Sequence, residues 1–346
     1  MNEKKGLDQS FDWDSPVICR EDLTLKLSIL DQSPMTNEQT ARDALIASRK
    51  LAQLGETLGY TRFWMTEHHD LDGLASSAPE VLLSYVGAYT KSIRLGTGAV
   101  LLPHYKPYKV AEVHHTLATL FPGRIDIGLG RAPGGSAEAT NALSDAYLQQ
   151  VYRFPELVEE LLLYINQKHP VLKASPVPDV APEVWILGTS EKSAILAGEK
   201  KLSYAFGQFM SAKDGAKIIS TYVNTFNGTK EQRNKRPQAL LTVSVYCAET
   251  KEKAEEIALP ALIWSIRGKG NLPSIEEAKK TTLTEKEKAS IQKRKENMII
   301  GDPFHVKQQL LRLKETYQVE EVMIVTNTAT VEDRMQSYQF ISEQLL

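Results

Sequence analysis

The sequence predicts a (β/α)8 barrel of the α/β class, a TIM barrel with a late insertion. Eight apolar segments read as buried strands, amphipathic helical segments separate nearly all of them, and the connections are short. Polar candidate site residues follow these strands, as in barrels that bind ligands at their carboxyl ends. An open doubly wound sheet is the alternative. The predicted strands are Leu25–Asp31, Tyr60–Thr66, Ile93–Val100, Arg124–Gly128, Val184–Leu187, Leu202–Phe206, Ala239–Cys247 and Glu321–Thr326.

Helix signals connect the strands of the first half. A capping box at Thr36–Gln39 predicts the start of the first helix. A second box at Ser77–Glu80, with Pro79 in the first turn, predicts the next helix. The third helix is expected over Val110–Leu120. The expected buried face of the second helix comprises Val81, Leu82, Tyr85, Val86 and Tyr89.

The second half is less regular. No clear periodicity covers residues 137–153, which are expected to be irregular. Between Arg267 and Asn297 the chain is rich in lysine and glutamate, which predicts a solvated or mobile insertion; an exposed surface helix is the alternative. Helices are expected over Pro155–Asn166, from Ser193 to Gly198, over Ser211–Phe226 with a Ser211/Asp214 cap, and from an Asp302 cap through Tyr317.

The amino-acid composition limits the possible classes of function. With 346 residues, 42% of them hydrophobic, the chain can bury a large core. A single domain over residues 25–346 is expected, after a loosely ordered N-terminal extension over residues 1–24. A net charge of −2 argues against nucleic acid and anionic membranes as partners. Two cysteines, Cys19 and Cys247, are too few for a disulfide framework, which fits a cytoplasmic location.

A glycine-rich loop with one arginine follows the fourth predicted strand. Gly130, Gly134 and Gly135 would let the main chain approach a ligand, and Arg131 offers a charged fork suited to phosphate. A dinucleotide fingerprint is not met, because the third glycine comes one residue late and Pro133 interrupts the helix start. After the fifth strand, Thr189, Ser190 and Ser193 lie at a helix start, where an anion is favoured. The alternatives are a flexible loop with a solvated arginine and a plain helix cap.

Glu67, His68 and His69 follow the second predicted strand. Neighbouring side chains on an extended segment point to opposite sides, so this triplet does not make a metal site. One histidine is expected to face the barrel mouth and the other to pack behind it, with Glu67 orienting an imidazole or holding the neighbouring strand. A structural histidine bonded to the main chain is the alternative reading.

Taken together, these motifs resemble the bacterial luciferase-like monooxygenase family. The resemblance rests on five segments and spans roughly residues 25–346. It implies a barrel that binds reduced FMN non-covalently and reacts it with dioxygen, so that a flavin hydroperoxide oxygenates a small organic substrate. The segments are Tyr60–His69, Ile93–Gly98, Ala111–Glu112, Phe121–Gly134 and Trp185–Ser190.

The resemblance also implies roles for individual residues. His68 would assist the flavin chemistry, and a cis peptide bond would join Gly98 to Ala99 behind the flavin ring. Gly130 stands where luciferases have a reactive cysteine, so light emission is not implied, and more room is expected beside the flavin. The predicted site has His68 as catalytic residue, no metal, and a cofactor-binding set of Glu67, Gly98, Ala99, Gly130, Arg131, Thr189, Ser190 and Ser193.

Partners follow from the same resemblance. Because no dinucleotide fingerprint is present, a separate NAD(P)H:flavin reductase is expected to supply the reduced FMN. A homodimer is expected through the helices around Leu82–Tyr89 and Val110–Leu120. The insertion near residues 267–297 corresponds to a mobile loop that covers the site in luciferases. A deazaflavin-dependent hydride-transfer oxidoreductase and a non-catalytic flavin-binding protein are the alternatives.

Overall fold

The computed structural model describes residues 25–229, 235–268 and 270–346; the predicted extension over residues 1–24 lies outside them. Each of the eight predicted strands is present, and the short strand β8 is additional. The described strands are β1 (Lys26–Asp31), β2 (Arg62–Met65), β3 (Arg94–Leu101), β4 (Ile125–Gly130), β5 (Glu183–Gly188), β6 (Ser203–Gly207), β7 (Ala239–Cys247), β8 (Met298–Gly301) and β9 (Glu321–Val325).

Eight of these strands close into a parallel barrel. Neighbours pair in chain order from β1 to β7, and β9 then lies between β7 and β1. Ile324 of β9 is opposite Ile29 on one side and Val243 on the other, which closes the ring. β8 pairs only with the carboxyl-terminal half of β7 and stays outside the ring. The barrel prediction is confirmed, and the open sheet is wrong.

Helices cover the outside of the barrel and bury their apolar faces against it. Six of the helices described below lie where no helix was predicted or where a helix was only the alternative: two within residues 137–153, two within residues 267–297, one before the insertion and one at the end of the chain. The described α-helices are α1 (Ala41–Thr57), α2 (Pro79–Gly87), α3 (Pro107–Leu120), α4 (Ala137–Leu143), α5 (Tyr147–Tyr152), α6 (Phe154–Ile165), α7 (Glu191–Glu199), α8 (Gly215–Gly228), α9 (Lys251–Arg267), α10 (Ile275–Lys280), α11 (Glu285–Lys295), α12 (Pro303–Tyr317) and α13 (Val331–Leu345).

Two predicted capping boxes are wrong. The box of α1 is formed by Thr40 with Asp43, because Thr36 is held in a β-bridge to Leu272 before the helix begins. At α2 the N-cap is Ala78, which makes no side-chain cap bond, so the predicted Ser77–Glu80 box does not form. Both helices nevertheless begin within five residues of the predicted signal, since each signal lies in the same polar connection.

Other expected caps and faces also need correction. α8 is capped by Asp214 alone, whose carboxylate accepts from the Lys217 amide. On α2, Leu82 and Val86 are buried as predicted, whereas Val81 is 67% exposed. Tyr85 and Tyr89 also reach the surface. These exposed side chains lie on the outer face of the barrel, where they do not contribute to its core.

Two stretches of the second half are more regular than expected. Residues 137–153 form α4 and α5, so the expectation of an irregular segment is wrong. Between residues 267 and 297 the described chain forms α10 and α11, each with a capping box. Ala278 and Ile291 from these helices are buried in an apolar cluster with α9. The insertion is therefore helical and is anchored to the protein through that cluster.

The barrel interior is filled below its carboxyl-terminal end. Trp64 and Trp185 meet edge to face with ring centroids 5.5 Å apart. Arg62 is buried between Asp126, at 2.8 Å, and Glu321, at 2.6 Å. A buried ion network of this kind requires all its members, because removing one leaves an uncompensated charge. The packed interior leaves the carboxyl-terminal end of the barrel as the place for a ligand.

Candidate active site

A cavity of about 820 Å³ lies where the carboxyl ends of the barrel strands meet. Residues of β1 to β7 and of the segments that follow these strands line it, together with residues of α5, α6 and α7. The predicted clustering of the site residues after the strands is confirmed, whereas their roles stay predictions. All nine predicted site residues line this cavity: Glu67, His68, Gly98, Ala99, Gly130, Arg131, Thr189, Ser190 and Ser193.

Two bare glycines shape the wall formed by β3 and β4. The peptide bond between Gly98 and Ala99 is cis, as the resemblance implied. A Cβ atom at Gly98 would lie 2.7 Å from the Leu30 side chain, and one at Gly130 would lie 3.0 Å from the Ala99 Cβ. Ala99 therefore already occupies much of the space expected beside Gly130. At both positions the main chain itself lines the cavity, because the neighbouring side chains leave no space for a side chain there.

Glu67 ties the end of β2 to the end of β3. Its buried carboxylate accepts hydrogen bonds from the Leu101 amide at 3.0 Å and the Tyr105 hydroxyl at 2.6 Å. His69 Nε2 lies 2.9 Å from the same carboxylate oxygen as the tyrosine. Burial, with the Glu67 charge second, raises the pKa of Tyr105, so its hydroxyl remains a donor. Both oxygens of Glu67 thus bind the protein and hold the strand ends in place.

The two histidines point to opposite sides, as predicted. His68 lines the cavity, and its Nδ1 lies 2.9 Å from the Thr66 hydroxyl. Burial lowers the pKa of His68 to about 4, helped by His69 and opposed by Glu67. The ring is therefore neutral near pH 7. His69 is directed away toward Glu67, where it supports the structure behind the cavity.

The start of α7 forms the polar end of the cavity. Ser190 is the N-cap, and its hydroxyl accepts from the Ser193 amide in a capping box. The Ser193 hydroxyl bonds the Ser190 carbonyl at 2.7 Å and lies 3.1 Å from the Tyr204 hydroxyl. Burial raises the pKa of Tyr204 to about 12, so this partner is neutral. The remaining first-turn amides and the helix dipole favour an anion here.

Arg131 lies on the loop after β4, which lines the same cavity as this helix start. Its side chain is exposed and lines the cavity, and no carboxylate of the described residues forms an ion pair with it. The loop is not a loose one. Gly134 has a φ of +74°, and a Cβ at Gly135 would lie 2.0 Å from the His69 carbonyl oxygen. Only glycines allow the loop to lie this close to the end of β2.

Several cavity residues were not predicted. Lys192 lies in the first turn of α7, and the segment after β6 contributes Phe209, Met210 and Lys213. The rule that site residues follow strands would have found the last three had it been applied to β6, and Lys192 lies in the same segment after β5 as the predicted serines. With Arg131 the lining carries three cations and one carboxylate, which suits an anionic ligand. No described residue between 267 and 297 lines the cavity, so the expected cover over the site is not seen.

Fold and cavity together define a (β/α)8 barrel protein with an electropositive ligand site at the carboxyl ends of its strands. The family model for luciferase-like monooxygenases matches residues 26–319. The chain belongs to the luciferase-like monooxygenase family, which supports an oxidoreductase. It is 36% identical to an N-acetyl-S-alkylcysteine monooxygenase of Bacillus subtilis, over 93% of this chain and 98% of the relative.

Solved structures agree with this assignment. The apo structure of MsnO8 has a TM-score of 0.83 and 31% identity, covering 93% of this chain and 97% of the other. At the level of fold alone, the FMN complex of 3,6-diketocamphane monooxygenase from Pseudomonas putida has a TM-score of 0.67 and 18% identity, covering 93% and 98%. An F420-dependent secondary alcohol dehydrogenase has a TM-score of 0.67 and 16% identity, covering 94% and 100%. Structural neighbours thus bind flavin or deazaflavin cofactors.

None of the helices in the described part of the chain has the length and apolar character needed to cross a membrane. The described residues contain no group of three or more histidine, cysteine, aspartate or glutamate side chains arranged to hold a metal ion.

Proposed function

We propose that the protein is a monooxygenase that uses reduced FMN and dioxygen to oxygenate a small organic substrate. One observation carries the proposal. A single cavity brings together an arginine with no ion-pair partner among the described residues, a helix N-terminus, a neutral histidine and a stretch of bare main chain at Gly98 and Ala99. Family membership supports the reaction type, and the cavity supports a flat cofactor that carries a phosphate.

The residues fit that cofactor. Arg131, Ser190 and Ser193, with Thr189, would hold the phosphate, and the arginine would contribute about 1.5–3 kcal/mol through a charge-assisted hydrogen bond. The ring system would lie against Gly98, Ala99 and Gly130, where a side chain would block it. The role of Glu67 is to hold this wall through Leu101. Lys192 and Lys213 would add to the positive potential at the phosphate end.

When bound, reduced FMN supplies the electrons that activate dioxygen, so that one oxygen atom enters the substrate and the other leaves as water. His68 is the proposed catalytic residue. Its Nδ1 is engaged by Thr66, so Nε2 is the ring nitrogen open to the cavity. When the Thr66 hydroxyl accepts from Nδ1–H, Nε2 is a free acceptor that can take up a proton; when the hydroxyl donates to Nδ1, Nε2 carries the ring hydrogen and donates a hydrogen bond. Tyr152 and Met210 line the cavity and reach the surface, so they would meet a substrate at its mouth.

The source of electrons is a separate NAD(P)H:flavin reductase in this proposal, since the chain carries no dinucleotide fingerprint. Such a supply suits the cytoplasmic location expected from cysteine usage. An experiment that tests the reaction mixes the protein with photoreduced FMN and air, and follows dioxygen consumption with and without thioether or ketone substrates. Substrate-dependent uptake that His68→Ala abolishes is expected. Equal uptake in both proteins would overturn the catalytic role of His68.

A deazaflavin is the second candidate cofactor, because an F420-dependent dehydrogenase shares the fold. The same phosphate site would hold either cofactor. Parallel titrations with FMN and F420, monitored by fluorescence, separate the two proposals. Binding of F420 alone, with hydride transfer to a substrate under anaerobic conditions, would replace the monooxygenase reading. Binding of FMN without turnover would favour the non-catalytic alternative.

We also propose a homodimer through α2 and α3. Exposed apolar side chains gather there, including Val81, Tyr89 and Leu120, which is 59% exposed. The Arg49 guanidinium lies 4.5 Å from the Tyr89 ring centroid and extends this surface. Contiguous apolar patches of this kind mark interaction sites. Size-exclusion chromatography with light scattering should give twice the chain mass, and a monomer at micromolar concentration would contradict the proposal.

A further inference from the structure

The Arg131 loop is held from outside by three hydrogen bonds to its main-chain carbonyls. The Tyr147 hydroxyl donates to the Arg131 carbonyl at 2.8 Å. His104 Nε2 lies 2.9 Å from the Pro133 carbonyl, and the His69 amide donates to the Gly134 carbonyl at 2.8 Å. These three groups, here called the loop clamp, come from the segment after β2, from the 3₁₀ turn after β3, and from α5.

The donors of the clamp are themselves fixed. A carbonyl oxygen only accepts, so the hydrogen of the His104 ring lies on Nε2. Its Nδ1 is buried and has no partner among the described residues. The Tyr147 ring stacks on His104 with centroids 4.7 Å apart and planes 22° apart. Tyrosine and histidine therefore form one rigid support under the loop.

We propose that Tyr147 and His104 are positioning residues that prearrange Arg131 for the phosphate of the cofactor. The inference rests on the proposed function, because it assumes that Arg131 binds that phosphate. The free Arg131 side chain extends from a main chain whose carbonyl is tied to Tyr147. A loop ordered before binding loses less freedom when the ligand arrives, and this raises affinity. The clamp would therefore act on phosphate recognition and not on the ring system.

Riboflavin has the ring system of FMN but no phosphate. Comparing the affinities for FMN and riboflavin therefore separates an effect on phosphate binding from a general effect on the structure. Tyr147→Phe removes only the hydroxyl and keeps the stack on His104. This variant should weaken FMN binding by about fivefold, the ratio that corresponds to one ordinary hydrogen bond. Its affinity for riboflavin should stay unchanged. Combining Tyr147→Phe with Arg131→Ala should cost no more FMN affinity than Arg131→Ala alone.

His104 offers a rescue experiment. A glutamine at this position can place an amide hydrogen near that of Nε2, so His104→Gln should keep the FMN-to-riboflavin affinity ratio of the natural protein. His104→Leu should lower that ratio. Tyr108→Phe is the matched control, because its hydroxyl also meets a main-chain carbonyl, that of Lys173 at 3.3 Å, but lies away from the cavity. It should leave both affinities unchanged.

The outcomes separate the clamp from the proposed function. If Tyr147→Phe weakens FMN and riboflavin equally, or weakens neither, the clamp is refuted while the phosphate site stands. If Arg131→Ala leaves the preference for FMN over riboflavin intact, the phosphate site is refuted and the clamp falls with it. Thermal unfolding of each variant, measured without ligand, checks that the fold is kept.

Discussion

Replacing Glu67 by glutamine tests whether this carboxylate holds the wall of the site. Glutamine keeps the shape but has one acceptor oxygen. If that oxygen faces Tyr105 and His69, the amide group faces the Leu101 N–H, and two donors oppose each other. The two retained bonds lose the charge of their acceptor, which costs about 1 kcal/mol each, and the unpaired Leu101 amide adds about 1–3 kcal/mol. We expect Glu67→Gln to lower the free energy of unfolding by about 3–5 kcal/mol.

Urea denaturation followed by tryptophan fluorescence measures this loss. Glu285→Gln is the matched control, because Glu285 is 89% exposed and its pair with Lys288 lies on the surface. Surface pairs contribute about 0–1 kcal/mol, so the control should change little. Tyr105→Phe should lower the free energy of unfolding less in the Glu67→Gln background than in the natural protein. A Glu67→Gln variant as stable as the control would refute the assigned role.

Three further predictions concern the loop, the histidines and Thr66. Gly135→Ala should weaken FMN binding, because its Cβ would lie 2.0 Å from the His69 carbonyl oxygen. Gly228→Ala is the control and should leave FMN binding unchanged, because its Cβ would have no atom within 4 Å. Equal FMN affinities of the two variants would contradict this prediction. Burial holds the pKa of His68 and of His114 at about 4, so the unfolded chain binds more protons below pH 6.5. Stability should therefore fall as the pH drops from 6.5 to 4, by roughly 3 kcal/mol per histidine, and urea midpoints that do not change with pH would refute this. Thr66→Val should lower substrate-dependent dioxygen uptake about tenfold with FMN affinity kept, and an unchanged rate would remove the role given to this hydroxyl.

The barrel and the clustering of the site could be predicted from the sequence. Buried strands are continuous apolar runs, and parallel strands bring their carboxyl ends to one face. Residues such as His68, Arg131 and Ser190 each follow a different strand. Their convergence therefore follows from topology alone, before any side-chain contact is known.

Where one segment contains two similar local signals, the sequence could not show which of them the protein uses. Thr36 with Gln39 and Thr40 with Asp43 both satisfy a capping box, and a tertiary bridge from Thr36 to Leu272 decides between them. β8 has four residues and pairs with one neighbour only, so its pattern is weak. Short helices such as α5 likewise give little periodicity to detect.

The supports of the site were beyond sequence reasoning for a different reason. Glu67 meets Leu101 and Tyr105, which are 34 and 38 residues away, and Tyr147 reaches back 16 residues to the Arg131 carbonyl. Such contacts depend on how loops pack on one another at the barrel mouth. No spacing rule predicts them, and the structure is needed to find them.

The central claim is that Arg131 holds the phosphate of reduced FMN. An anaerobic titration of photoreduced FMN into the natural protein, Arg131→Ala and the exposed α1 variant Arg42→Ala tests it most directly. The account predicts that Arg131→Ala weakens binding by about 10- to 150-fold, the range for a charge-assisted hydrogen bond, while Arg42→Ala binds like the natural protein. Equal binding by all three proteins, or binding by none, would contradict it.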